Sequence, residues 1–207
     1  EQWFQSAGYP KLKAVWSFDG DKEQGTLTLE QTQQDEAKRI GLFEFPVEIA
    51  IEDRDGLWAR HTIDMTDRTA ALVVPLTAAP RQVIIDPDSR LLHGLEFDPG
   101  LDQLTQTLTG STSLRGKLHA VATLCKTGRS AGIKLVTDAY RAEPVFHQRR
   151  HYARALGESG SQPALDALVD LLDFETDPQV MEALTAGLGN YRDANAARTL
   201  EAWLERP

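Results

Sequence analysis

Apolar side chains recur at every second position in the first half of this chain and at every third or fourth position in the second half, and the change falls at Asp98-Pro99. Leu12, Ala14, Trp16 and Phe18 make the first alternating run. Leu27 and Leu29 follow, then Val47, Ile49 and Ile51, then Ala70, Leu72, Val74 and Leu76, and Val83 and Ile85 open a further short run. Period two buries one face and wets the other, which is the pattern of an antiparallel sheet. Turn-forming groups separate the runs at Asp19-Gly20-Asp21, Asp53-Arg54-Asp55-Gly56, Thr66-Asp67-Arg68, Ala79-Pro80 and Asp86-Pro87-Asp88. About seven short strands in this length predict an antiparallel β-sandwich domain over residues 1–98, with a barrel as the alternative.

Residues 99–207 are predicted to be all-helical. Asp98 is placed to cap a first helix and Pro99 to occupy its first turn. A helix over 100–110 then bridges to a repeated region in which apolar residues stand three and four apart, as at Leu165, Leu168, Val169 and Leu172. Three segments align at a spacing of 32 residues: Leu124, Leu156 and Leu188 correspond, as do the small residues Cys125, Gly157 and Gly189. Gly128 and Gly160 match, with Arg192 in the third copy. Gly132, Ala164 and Ala196 share a slot, as do Val136, Leu168 and Leu200, then Ala139, Leu171 and Trp203, then Tyr140, Leu172 and Leu204. Each unit is a helix, a short turn and a second helix. One such pair cannot bury its apolar face alone, but stacked pairs can, so the pattern predicts a short α-solenoid of HEAT-like hairpins.

The chain has 207 residues, 41% hydrophobic and 26% charged, which excludes a disordered or collagen-like polypeptide. No apolar run approaches the roughly 20 residues of a bilayer-spanning helix, so no membrane partner is expected. The formal net charge is −9, which argues against a nucleic-acid partner. Residues 1–99 carry a net −8, residues 115–154 a net +7 and residues 155–207 a net −7. Charge runs of this kind solvate a helix face, or dock it on an acidic neighbour; Arg115, Lys117, Arg129, Arg149 and Arg150 are the candidates for docking. The single cysteine, Cys125, allows no intrachain disulfide and fits a reducing compartment, so a cytoplasmic location is expected. Glu1 opens an acidic-polar stretch without a basic start or an apolar core, so no leader is expected. The missing initiator Met fits a piece of a longer protein.

One stretch has the spacing of a metal motif. His147-Gln148-Arg149-Arg150-His151 puts two histidines four apart on one helix face, as HExxH does, and Asp170 stands nineteen residues beyond His151. The chemistry opposes a zinc site. Gln148 stands where the general base belongs, and an amide cannot take a proton from metal-bound water. Arg149 and Arg150 add positive charge beside the would-be cation. Cys125 fills a small-residue slot and reads as packing. The carboxylate pairs Asp19 with Asp21 and Asp53 with Asp55 sit in turn sequences and read as turn chemistry rather than calcium ligands. Trp3, Phe4, Trp16 and Phe18 read as core aromatics. No catalytic, cofactor-binding or metal-binding residue is expected within the chain.

Trp3-Phe4-Gln5-Ser6-Ala7-Gly8-Tyr9-Pro10-Lys11-Leu12 resembles the segment that follows the catalytic domain in zinc aminopeptidases of the aminopeptidase N type, a gluzincin family. Val15-Trp16-Ser17-Phe18-Asp19, then Leu27-Thr28-Leu29-Glu30-Gln31-Thr32-Gln33, Phe45-Pro46-Val47 and Ile85-Asp86-Pro87-Asp88, extend the resemblance in order along the chain. It implies a fibronectin-like sandwich followed by the helical repeats that many bacterial members carry. It implies also that HExxH, its downstream Glu and the Gly-rich exopeptidase motif lie upstream and outside this sequence, so zinc is expected only in the absent catalytic domain. The function so implied is a non-catalytic C-terminal region that supports that domain and shapes peptide access, with the upstream domain and the peptide substrates as its partners. The alternative is a non-enzymatic HEAT-like scaffold.

Overall fold

The computed structural model describes residues 7–35 and 37–205. Trp3, Phe4, Gln5 and Ser6 of the family-like opening lie outside the described residues. Seven strands run β1 Lys11–Asp19, β2 Gln24–Gln31, β3 Phe45–Glu52, β4 Trp58–Met65, β5 Thr69–Pro75, β6 Gln82–Ile85 and β7 Gly94–Phe97. Seven helices follow among the described residues: α1 Leu101–Gly110, α2 Leu114–Thr127, α3 Ser130–Ala142, α4 Phe146–Ser159, α5 Gln162–Phe174, α6 Pro178–Gly189 and α7 Ala194–Leu204.

The strands form a β-sandwich of two sheets, one ordered β5-β2-β1-β7 and the other β4-β3-β6. Every pairing is antiparallel except β1 with β7, which is parallel. The alternating pattern does not indicate that one exception. β7 follows β6 in sequence but belongs to the other sheet, so the chain crosses over and enters it alongside β1. The period-two residues fill the space between the sheets: Leu12, Ala14, Leu27 and Leu29 face Val47, Ile49, Ile51, Ile63, Met65, Val83 and Ile85 in one buried cluster. Trp16 is partly buried against this cluster, and its indole lies where a side chain at Gly25 would stand.

Gln31 is fully buried at the end of β2. Its Nε2 donates to the carbonyls of Phe43 and Asp67, and its Oε1 accepts from the Phe43 amide and from Gln33. A buried amide needs this full set of partners. The Gln-Thr-Gln landmark therefore pins the segment leading into β3.

The chain divides into two compact units. One takes the residues up to Thr107 together with Ser111–Gly116, and the other takes Leu108–Gly110 and the residues from Lys117 onward. The outer face of the β4-β3-β6 sheet explains why the first unit reaches past the last strand. Ile84 is buried on that face, and Gly116 and Thr107 lie against one another there beside it.

The helical unit repeats as the sequence does. α2, α4 and α6 begin at 114, 146 and 178, and α3, α5 and α7 begin at 130, 162 and 194, so both helices of each hairpin keep the 32-residue step. Leu124, Leu156 and Leu188 are all buried, as are Gly132, Ala164 and Ala196. Gly128 and Gly160 both take positive φ, 64° and 68°, in the turns after α2 and α4, a conformation that favours glycine. Gly189 is exposed where Cys125 and Gly157 are buried, and the Leu204 side chain lies outside the described residues. The start of α1 differs from expectation. Gly100, not Asp98, holds the cap position, and the helix begins at Leu101. The Asp98 carboxylate accepts from the Gly100 amide, which closes a turn ahead of the helix.

Candidate functional site

The helical unit carries a groove of about 530 Å³ whose lining includes Leu108, Lys117, Leu135, Asp138, Glu143 and Tyr152. α4 supplies Tyr152, which is 1% exposed, and its hydroxyl has no hydrogen-bond partner among the described residues. Burial, and then the Glu143 carboxylate, push this phenol up to about 12, so it stays protonated as a donor. Asp138 is neutralised on its own helix by Lys134 at 2.6 Å. The Glu143 Oε1 accepts from the Val145 amide at 2.9 Å. The groove has the size of a small-ligand or side-chain site, apolar walls and a few polar groups.

Beside it runs a buried polar network. Glu175, in the turn between α5 and α6, accepts from the Tyr140 hydroxyl at 2.5 Å and from Arg149 at 2.8 and 3.1 Å. The amides of Thr176 and Asp177 also donate to it, each at 2.9 Å. Burial alone would raise the Glu175 carboxyl, but the hydrogen bonds from Arg149, Tyr140 and the backbone outweigh it and bring it down to about 2. Arg149 also donates to the carbonyls of Glu143 and Pro144. The network thus ties α3, the α3–α4 turn, α4 and the α5–α6 turn together.

The metal-spaced stretch is used differently from a metal site. His147 packs its ring on Phe146, with centroids 3.8 Å apart, and His151 is exposed. Arg149 belongs to the network just described, Arg150 reaches Glu182 at 3.9 Å, and Asp170 pairs with Arg141. Among the described residues no three His, Cys, Asp or Glu side chains group as metal ligands. With the His147 ring on Phe146, Arg149 and Arg150 on carboxylates and Asp170 on Arg141, this stretch does not present a zinc donor set. Cys125 is 1% exposed, and burial pushes its thiol up to about 12, so no thiolate forms near neutrality.

The turn carboxylates hold backbone. Asp19 accepts from the amides of Asp21 and Lys22, and Asp53 from those of Asp55 and Leu57. Of the five docking candidates, Arg149 and Arg150 have carboxylate partners within the helical unit, Lys117 lines the groove, Arg129 is exposed and Arg115 meets His93 in the sandwich unit. The pairing of Arg149 with Glu175 spans 26 residues, and no helical spacing in the sequence announces it.

The sandwich unit carries a smaller cavity of about 300 Å³ lined by Trp58, Arg60, Pro87, Asp88 and Ser111–Leu114. Arg60 bridges Asp88 and Glu48, and Arg90 reaches the same two carboxylates. Asp88, then Glu48, hold the Arg60 guanidinium firmly charged. Every charge facing this cavity is thereby already matched by protein.

The family model for HEAT repeats matches residues 101–189. No curated protein matches the chain. Among solved structures, the chain is similar to Legionella pneumophila aminopeptidase A, crystallised in complex with aspartic acid, with a TM-score of 0.57 at 10% identity. The match covers 98% of this chain and 30% of that one. At this identity the likeness is one of fold.

Proposed function

We propose that this chain is a non-catalytic region of a zinc aminopeptidase, supporting a catalytic domain and shaping the access of peptides to it. The observation that carries the reading is the fold likeness over 98% of the chain to an aminopeptidase of which it spans 30%. The ordered landmarks from Gly8-Tyr9-Pro10 to Asp86-Pro87-Asp88 support it from the sequence side. In such an enzyme zinc activates the water that attacks the first peptide bond. The residues of this chain enter no part of that step: they build the sandwich core, the solenoid and the groove. The partners of the reading are the upstream catalytic domain and its peptides.

The test is made on the full product of the gene. The reading expects zinc-dependent release of the N-terminal residue from an aminoacyl anilide by the long protein, and none by residues 1–207. A long protein that binds zinc nowhere and cleaves nothing would reject it. That result would favour the second reading, a HEAT-like interaction scaffold, which the repeat match over 101–189 and the groove at Tyr152 support.

A further inference from the structure

His93 occupies a position in which no single protonation state of its ring serves every neighbour. Its side chain is fully buried in the sandwich unit, in the loop between β6 and β7. Nδ1 lies 3.1 Å from the Gly94 carbonyl, which can only accept, so Nδ1 carries a proton when that bond is made. Nε2 is then a bare acceptor in the neutral ring, and Arg115 Nη2 stands 3.4 Å from it as donor. The same Nε2 lies 3.3 Å from Asp86 Oδ2, an acceptor that offers it no proton. Two groups of opposite character contest one nitrogen. The neutral ring can serve Arg115, and the protonated ring can serve Asp86.

The surroundings are built to hold this contest in place. Asp86 sits at φ +50°, in the left-handed region, and its carboxylate accepts from the amides of Arg90 and Leu91, which fixes its orientation. Arg90 turns its own guanidinium to Asp88 and Glu48. From the strand side, Lys11 lies with its stem beside Gly94. Asp86 and Arg115 are therefore the charged groups that act on the ring. Arg115 is in the first turn of α2. It donates to the His93 carbonyl at 3.3 Å, while its Nε is buried with no hydrogen-bond partner among the described residues. The rest of that turn is held by Ser113 Oγ, which donates to the Pro87 carbonyl at 2.8 Å and accepts from the Gly116 amide at 3.1 Å.

We propose that His93 is a proton-operated latch: protonation hands Nε2 from Arg115 to Asp86 and loosens the first turn of α2 from the sandwich. The atoms balance simply. One proton from solvent adds to Nε2, the new N–H points at Asp86 Oδ2, and the imidazolium repels the Arg115 guanidinium it formerly accepted from. The inference stands apart from the aminopeptidase reading, since it uses only groups of the sandwich unit. Its direction in pH follows from the burial of the ring, which holds His93 below the ordinary histidine range despite the Gly94 and Asp86 contacts. The latch is closed above that range and opens as the pH falls below it.

The test follows two signals in the intact chain between pH 8 and the acid limit of folding: the His93 ring nitrogens by NMR, and hydrogen exchange of the Gly116 amide corrected for its intrinsic rate. The proposal expects Nδ1 to stay protonated throughout while Nε2 takes a proton. Gly116 protection should fall about tenfold across the same midpoint. In Asp86→Asn, which keeps an oxygen for the Arg90 and Leu91 amides, the midpoint should move to lower pH. In His93→Gln, Gly116 protection should be flat across the range. Unchanged Gly116 protection through the wild-type His93 titration would overturn the proposal, and that arm decides even if His93→Gln does not fold. An equal fall in His93→Gln would overturn it as well.

Discussion

Tyr140 and Tyr152 are equally buried, at 0% and 1% exposure, and differ in one bond. The Tyr140 hydroxyl donates to Glu175, whereas Tyr152 lines a groove and its hydroxyl has no hydrogen-bond partner among the described residues. Tyr140→Phe is expected to cost about 1–3 kcal/mol, because it takes a bond from a buried carboxylate. Tyr152→Phe should lie within about 0.5 kcal/mol of the parent, since no protein bond is lost. Urea midpoints at an unchanged slope measure both. Glu175 adds a pH dependence. Its carboxyl falls from an ordinary 4.5 to about 2 on folding, so its contribution is complete above pH 4.5 and is lost as the pH drops toward 2. Glu175→Gln should be less stable at neutral pH and should lack that acid-sensitive component, which stability measured from pH 5 to 2 would show. None of this is legible in the sequence. Arg149 reads there as one charge in a basic run, and its partner lies 26 residues on, past the whole of α5 and beyond the reach of any local pattern.

α4 and α6 approach one another through glycine. A Cβ at Gly157 would come within 2.5 Å of the Gly187 Cα, while one at Gly189 would meet nothing within 4 Å. Asn190 and Tyr191 then clip the end of α6 to the carbonyls of Gly157 and Leu156. Gly157→Ala is expected to force the two helices apart and destabilise by about 1–3 kcal/mol, the range for overpacking, and Gly189→Ala to leave the midpoint almost unmoved. Thermal melts of the two variants side by side distinguish them. The repeat alignment puts both glycines in one small-residue slot, and packing separates them, because the third copy leaves its slot exposed. Strands differ in legibility for a related reason. β1 and β2 bury alternate residues and can be read directly, whereas β3 alternates only as far as Ile49 and then buries Ala50, Ile51 and Glu52 in succession. β4 buries only Ile63 and Met65, and β7 only Phe97, so neither raises a period-two signal. The cap of α1 is misread because an Asp-Pro pair signals a helix start equally well whether or not one more turn residue intervenes.

At the scale of the molecule, the two periods of the sequence and the two classes of structure coincide, because burial on one face is all that either period encodes. The chemistry of a site is not encoded that way. Around the metal-like spacing of His147 and His151, His147 lies on Phe146, and Arg149 and Arg150 pair with Glu175 and Glu182. Chelation with EDTA should therefore leave the melting temperature of this chain unchanged, and elemental analysis should find no stoichiometric zinc. One zinc per chain that vanishes in His147→Ala would reverse that assignment. The common step of the helix onsets has a further consequence. Deleting or duplicating one complete hairpin preserves which faces meet across the new junction, whereas an insertion of a few residues rotates every later contact out of register. Relatives of this chain should accordingly grow or shrink by whole turns of its spiral, in quanta rather than by degrees.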